Sequence, residues 1–335
     1  PEFRVSYSLS GVFMEQMESF GPDVLDSFRR LVDTGRAELL SETYYHSLSF
    51  LYSREEFAEQ VKLHRDKILS LFGVTPRVFR NTELIFSNDV ARVASELGYI
   101  GILAEGADHI LGWRSPNFLY TPKGADGIKL MLKNYKLSDD IAFRFGQRSW
   151  AEYPLTASKF AEWVNAVNGN GHVVNLFMDY ETFGEHQWED TGIFKFLESL
   201  PQEILKHTDN DFVTVSEAVE RYQPLAELDI PHYVSWADTE SDHSAWLSKQ
   251  IQHDAIGKLY ALEGEVKKSG DRRIVEDWRR LTTSDHFYYM CTKWWNDGDV
   301  HKYFNPYESP YDAFISYMNV LEDLKLRLGA QRETV

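Results

Sequence analysis

Val173-Val174-Asn175-Leu176-Phe177-Met178-Asp179-Tyr180-Glu181-Thr182-Phe183-Gly184 is the stretch on which the reading of this chain turns. An apolar run stops at an acid, then an aromatic residue, then a second acid. That pattern predicts a buried parallel strand, Val173–Met178, ending in an open mouth. Where parallel strands are joined through helices, the loops after the strands carry the chemistry, so Asp179 is a candidate working acid. An aspartate at that point would serve equally well to cap the following turn, and this segment alone leaves the two roles level.

Upstream, strands and helices alternate. Phe3–Leu9 reads as a strand. A helix opens at Pro22, a residue favoured in a first helical turn, and closes before Gly35. Arg36–Leu40 is a short strand, Glu55–Phe72 a long helix stopped by Gly73, and Arg77–Arg80 the next strand. A helix over Asp89–Leu97, ended by Gly98, leads into the apolar strand Tyr99–Ala104. Residues 105–140 break the rhythm with Gly, Pro, Trp and Asn and read as one long irregular segment, which in a compact domain is usually functional or mobile. Beyond it come a strand at Ile141–Phe145, a helix from Ser158, the Val173–Met178 strand, a helix near Ile193–Leu200 and a strand at Phe212–Val215. Such alternation implies right-handed βαβ units and a parallel sheet. With this many units and no glycine-rich phosphate loop, a barrel is favoured over an open nucleotide-binding sheet.

After Pro231 the texture changes to helix. Leu247, Ile251, Ala255, Leu259, Leu262 and Val266 form one apolar stripe. Phe314, Tyr317, Leu321, Leu324 and Leu328 form another, with Gly329 as its expected stop. The predicted organisation is α/β: an incomplete or distorted (β/α)7 TIM-like barrel over residues 1–230, followed by a helical C-terminal bundle over 231–335.

Composition narrows the function classes. The 335 residues are 43% hydrophobic and 26% charged, enough to bury a sizeable core. A formal net charge of −17 argues against a nucleic-acid partner, which requires clustered Lys and Arg. No apolar run reaches membrane-spanning length. The single cysteine, Cys291, excludes an internal disulfide and suits a reducing compartment, so a cytoplasmic location is expected. The first residues, Pro1-Glu2-Phe3, enter a strand already under way, with no initiator Met and no signal-peptide pattern. We therefore expect the natural N-terminus to lie upstream, along with any targeting signal.

Glu38, Glu83, Glu105 and Asp179 all fall at or just past expected strand ends. Two carboxyl groups on neighbouring strand ends are the minimum apparatus for cleaving a glycosidic bond. One, ionised, attacks the anomeric carbon, and the other holds a proton for the departing oxygen. In retaining enzymes they stand roughly 5–5.5 Å apart, and proximity itself separates their pKa values. Position alone leaves Glu83 and Glu105 as alternative partners for Asp179.

Two of these segments carry a resemblance. Phe79-Arg80-Asn81-Thr82-Glu83-Leu84 and Met178-Asp179-Tyr180-Glu181-Thr182-Phe183-Gly184 resemble the nucleophile and acid/base motifs of glycoside hydrolase family 57, which contains α-amylases, 4-α-glucanotransferases, amylopullulanases and branching enzymes. Gly35-Arg36-Ala37-Glu38-Leu39-Leu40 resembles the family's second motif and Thr283-Ser284-Asp285-His286-Phe287 its fifth. Glu38, Glu83 and Asp179 stand 45 and 96 residues apart, in the family's order and scale. The resemblance implies that Glu83 is the nucleophile, Asp179 the acid/base, and that Glu38, Asp285 and His286 contribute to substrate binding. It implies no cofactor and no metal, and an α-glucan or maltooligosaccharide substrate. The activity implied is that of a retaining α-amylase, with 4-α-glucanotransferase or a glucan-binding protein without activity as alternatives. The family's first motif, a His-Gln-Pro on its opening strand, has no counterpart: His186-Gln187 continues to Trp188 and lies elsewhere.

Among the aromatic residues, Trp113, Tyr180 and Trp236 are candidates to stack on sugar rings, whereas Trp246 reads as bundle core. A metal-dependent deacetylase or mannosidase on a similar barrel is the rival. Of eleven histidines the nearest two, His243 and His253, are ten residues apart, so no local ligand pair of His spaced three to five exists.

Overall fold

The computed structural model describes residues 3–237, 240–293 and 305–332. Within them, strands β1 (Val5–Tyr7), β2 (Ala37–Leu39), β3 (Val78–Arg80), β4 (Gly101–Glu105), β5 (Leu119–Pro122), β6 (Lys129–Lys133) and β7 (Glu227–Leu228) form two hydrogen-bonded arrays. β1 pairs with β2, and the second array runs β3-β4-β6-β5-β7. A bridge between Ser41 and Phe79 joins the two, through bonds of 2.9 Å from Ser41 N–H to Val78 O and 2.8 Å from Arg80 N–H to Ser41 O. All pairings are parallel except β5 on β6. The result is an incomplete, distorted TIM-like barrel with a helical C-terminal region.

Local signals explain the helices on its outer side. Helix α1 (Gly11–Phe20) is capped by Ser10, whose hydroxyl accepts from Phe13 N–H. Helix α2 (Pro22–Asp33) starts on its proline. Helix α3 (Arg54–Phe72) is capped by Ser53, which accepts from Glu56 N–H, and ends at Gly73 with φ 70°, a conformation that costs glycine nothing. Helix α4 (Asn88–Glu96) precedes β4.

β4 is buried along its whole length, as a strand covered on both faces must be. Phe79, Ile102, Ala104, Tyr120, Leu130 and Leu132 face one core with Phe57 and Val61 of α3 and Val90 and Ala91 of α4. Val78, Leu103, Leu119 and Met131, the alternate positions, face a second core with Val215, Ala218 and Val219. There the helix Val215–Arg221 comes so close to Gly101 that an added Cβ would lie 2.8 Å from Val219.

Four expectations about the barrel region need correction. Val173–Met178 belongs to no strand. Its backbone is held at single points: Asn134 N–H to Asn175 O at 2.9 Å, and His172 and Val173 N–H to Asn117 O at 2.8 and 3.1 Å. What lies beside it is a helix start and a loop, so no ladder can form. Ile141–Phe145 is no strand either. Ile141 and Ala142 close the helix Tyr135–Ala142, whose N-cap Asn134 accepts from Leu137 N–H. Phe212–Val215 leads instead into the helix Val215–Arg221, through a capping box of Thr214 and Glu217. Residues 105–140, expected to be irregular, contain β5, β6 and the start of the Tyr135 helix.

Downstream, the helices Gln250–Ala261, Glu263–Ser269, Arg272–Arg280 and Pro310–Arg332 share one core that includes Trp246, Ala255, Leu259, Val266, Trp278, Tyr317, Leu321, Leu324 and Leu328. Both stripes thus face inward, but Gly329 does not stop its helix, which continues to Arg332. Glycine inside a helix costs only about 1 kcal/mol relative to alanine, too little to end a helix that packing holds.

Candidate active site

The C-terminal ends of β2, β3, β4 and β6 open into a single cleft of about 2010 Å³. Each strand end delivers a charged group. Glu42 follows β2, Arg80 ends β3 and Glu83 lies three residues beyond it. The β4–β6 register sets Glu105 opposite Lys133. Asp179 follows the Val173–Met178 segment, Trp236 comes from the loop after β7, and Asp285 from the helix Ser284–Tyr288. Glu42, His46, Glu83, Glu105, Lys133, Asp179, Trp236 and Asp285 all line the cleft.

Glu83 is clamped. Its Oε1 lies 2.9 Å from His46 Nε2, and its Oε2 accepts from Trp236 Nε1–H at 2.7 Å. The backbone is held in an unusual shape to achieve this, with φ 56° at Glu83, 50° at Leu84 and 49° at His46. Non-glycine residues in the left-handed region cost on the order of 1–3 kcal/mol each and persist only where surroundings over-determine them. Those surroundings are Ser235 Oγ–H donating to Glu83 O at 2.8 Å, Asn81 Nδ2–H to Ile85 O at 2.8 Å, and the paired 2.9 Å bonds between Phe86 and Val234. The carboxyl end remains reachable, with 16% of the Glu83 side chain exposed.

His46 stands between two acids, since its Nδ1 lies 2.9 Å from Glu42 Oε2. An ionised carboxylate can only accept, so with one on each side both ring nitrogens must donate. Burial disfavours the imidazolium, but the bonds to Glu42 and Glu83 outweigh it and raise the His46 pKa to about 10. Burial likewise opposes ionisation of Glu42. The His46 bond and the charge of Arg80, 3.6 Å away, prevail and lower it to about 2. Glu83 follows the same logic: burial is overcome by the His46 bond and charge, by Arg80 and by the Trp236 N–H, and the carboxyl is held below the usual range.

Asp179 is the opposite case. Its side chain caps no turn, and it makes no hydrogen bond or ion pair with the described residues; only its carbonyl accepts, from Thr182 N–H at 3.1 Å. Burial, then the negative charges of Glu181 and Glu83, raise its pKa to about 7. Asp285 is also raised, by burial first, with Glu83 and Glu181 adding to it against the His46 charge. One mouth therefore holds an ionised carboxylate and a carboxyl that keeps its proton close to neutrality. Environments that push two acids apart in this way assign acid and base roles.

Glu105 is arranged differently. It is buried, with its carboxylate 3.4 Å from Lys133 Nζ and accepting from Gly106 N–H at 2.7 Å. Lys133 Nζ and the Arg80 guanidinium also lie 5.2 and 5.4 Å from the Trp236 ring centre, within cation–π range.

Of the remaining sequence candidates, Tyr180 lines the cleft, 62% exposed, its ring edge-on to Tyr7 at 5.7 Å. Trp246 is buried among the C-terminal helices and also reaches the cleft wall. Three candidates lie apart from the cleft. Glu38 accepts from Ser6 Oγ–H at 2.9 Å and Ser216 N–H at 3.1 Å, joining β1 and β2 to the Val215–Arg221 helix. Trp113 is 86% exposed beyond the cleft. His286 turns its Nε2 to Arg280 O at 3.2 Å and its ring to Tyr317. Glu42, His46, Arg80 and Lys133 were not among the sequence candidates. A signal existed, an acid and a histidine four residues apart just past β2, but a search for His–His spacing passes over it.

Residues 1–231 match glycosyl hydrolase family 57. A "Putative alpha-amylase" of Methanocaldococcus jannaschii is 46% identical over 335 residues, covering 97% of this chain and 71% of that protein. An alpha-amylase of Pyrococcus furiosus is 22% identical over 241 residues, 69% of this chain but 35% of the other. Among solved structures, a 4-alpha-glucanotransferase from Thermococcus litoralis superposes with a TM-score of 0.69 at 17% identity, covering 86% of this chain and 50% of that one. A GH57-type branching enzyme from Pyrococcus horikoshii does so with 0.68 at 14% identity, covering 95% and 74%. The chain thus spans half the length of the glucanotransferase and about a third of the Pyrococcus amylase. At these low identities the structural likeness speaks for the fold, whereas the family match and the relative at 46% identity speak for descent: the chain belongs to glycosyl hydrolase family 57.

Proposed function

We propose that the chain cleaves α-1,4-linked glucans with retention of configuration, Glu83 acting as nucleophile and Asp179 as acid/base. The observation that carries this reading is the asymmetry of the two acids. Glu83 is ionised and clamped by N–H donors at 2.9 and 2.7 Å, while Asp179 opens onto the same cleft with no side-chain partner among the described residues. In the first step the Glu83 carboxylate attacks the anomeric carbon, and the bond to the departing oxygen breaks as Asp179 gives that oxygen its proton. In the second, Asp179, now ionised, takes a proton from water as the water attacks the same carbon, and the electron pair of the ester bond returns to Glu83. Two inversions leave the α-configuration in place. Tyr180 and Trp236 at the cleft surface offer faces for sugar rings.

The name of the relative at 46% identity favours water as acceptor. Incubation with maltotriose alone tests this: glucose and maltose as the only products mean hydrolysis, and longer sugars mean transfer. Glu83→Gln should lower the rate by at least about 10⁴-fold, as loss of a nucleophile does, without changing the circular dichroism. Proton NMR detecting the β-anomer as first product would overturn the mechanism.

A further inference from the structure

We propose that His46, seated between Glu42 and Glu83, is a positioning residue that orients the Glu83 carboxylate and supplies the positive charge opposite it. The inference rests on Glu83 being the nucleophile. It adds a relay, Glu42–His46–Glu83, that none of the sequence motifs contains.

The geometry is specific. Both ring nitrogens sit 2.9 Å from a carboxylate oxygen, and His46 itself adopts φ 49°. Its own carbonyl accepts from Ser284 N–H at 2.9 Å, and Ser47 bridges to Thr283, so the segment is pinned to the helix that carries Asp285. The neighbouring charges leave His46 as the charged imidazole facing Glu83. The nearby His64, from α3, accepts from Glu42 N–H at 3.3 Å through Nδ1 and donates through Nε2 to Leu9 O at 2.6 Å, the pattern of a neutral ring. Arg80, from β3, approaches Glu42. Asp285, Asp179 and Glu181 bring only negative or neutral carboxyls to the cleft, and Lys133 is engaged by Glu105 and Asp139.

The consequence is for the second chemical step. When Glu83 is esterified to the sugar it is neutral, and His46 remains charged against Glu42. As water attacks and the carbon–oxygen bond to Glu83 breaks, the returning electron pair meets an N–H donor already in place, so the carboxylate leaves readily. Donors that need no reorganisation are the effective kind.

Glu42→Gln, which keeps the shape, and His46→Gln, which keeps a donor of similar reach, test this with an aryl α-maltoside whose leaving group needs no proton. In His46→Gln we expect the acid limb of kcat/KM, which reports the free enzyme's ionising nucleophile, to rise by roughly one pH unit or more as the opposite charge is lost. We expect kcat to fall on the order of tenfold to a hundredfold with a lower KM and a burst of aryl alcohol, since the ester then accumulates. An acid limb unmoved in His46→Gln, or rates within about threefold of the parent in both variants, overturns the proposal. Glu83→Gln is assayed in parallel: if it stays active, the nucleophile assignment itself fails, whereas an inactive Glu83→Gln beside unaltered His46 and Glu42 variants sinks only the relay.

Discussion

Two clusters of buried charge can be set side by side. One joins α3 to the C-terminal helices: Glu56, 0% exposed, receives Arg279 at 2.8 and 3.1 Å and Lys267 at 3.2 Å, and its Oε1 also accepts from Gln60 Nε2–H at 3.0 Å. Lys267 further meets Glu59 at 3.1 Å and Glu263 at 3.0 Å. These carboxylates have cations, and helices of ordinary geometry carry them. The other cluster is the cleft, where Glu42, His46 and Glu83 are matched but Asp179 has no partner among the described residues, and three residues sit in left-handed backbone. A structural cluster compensates its charges. A reactive one leaves the Asp179 carboxyl uncompensated among the described residues and spends its backbone strain on placing His46 and Glu83.

The largest effect expected from breaking this contrast is in activity. Asp179→Asn should lower kcat on maltooligosaccharides by about 10²- to 10⁴-fold but spare an aryl maltoside with a good leaving group in its first step, read as an undiminished burst. The parent's alkaline limb near pH 7 should vanish with it. The same variant sharpens the contrast in stability. Because the folded pKa of Asp179 is raised, to about 7, the native state holds a proton that the unfolded chain has already released. Stability is therefore lost as pH rises from the ordinary aspartate range through 7. Asp179→Asn should then raise Tm at pH 8 and leave it nearly unchanged at pH 4; an equal shift at both values would mean that the charge is not the cause.

At the structural cluster the signs reverse. Arg279→Ala should destabilise by about 3 kcal/mol in urea unfolding, because buried Glu56 loses its two-point guanidinium partner and keeps only Lys267 and Gln60 among the donors named above. The kcat of the folded fraction should not change, and a matched loss of kcat would dissolve the distinction between the clusters. The smallest effect belongs to Trp113→Ala. An exposed residue outside the cleft should move stability by less than about 0.5 kcal/mol and leave KM for maltooligosaccharides where it was.

How far the sequence could be read depended on the range of the forces involved. β3, β4, α2, α3 and α4 were legible because apolar runs, Pro22, Gly73 and Gly98 act on their own neighbourhood. β6 was missed because its lysine ends mask a buried middle; even Lys133 is buried there, held by Glu105 and Asp139. The Phe212–Val215 error had a local remedy, the Thr214–Glu217 capping box, which outweighs four apolar-leaning residues. Val173–Met178 had none, since whether an apolar extended stretch forms a ladder depends on what lies next to it. In the site, motifs brought Glu83 and Asp179 forward and both line the cleft, but the same reasoning put Glu38 beside them, and the fold uses it to hold Ser216.

By itself, then, the sequence determined the family, the helix start at Pro22, the stops at Gly73 and Gly98 and the strands β1 to β4, because each is written in residues within a few turns of one another or in ordered motifs. Only the tertiary structure decided which charges meet. Glu83 and Trp236 are separated by 153 residues and Glu56 and Arg279 by 223, yet their contacts are 2.7 and 2.8 Å. Hydrogen bonding and Coulomb energy depend on distance in space and on exclusion of water, and neither is present in a chain until it has folded.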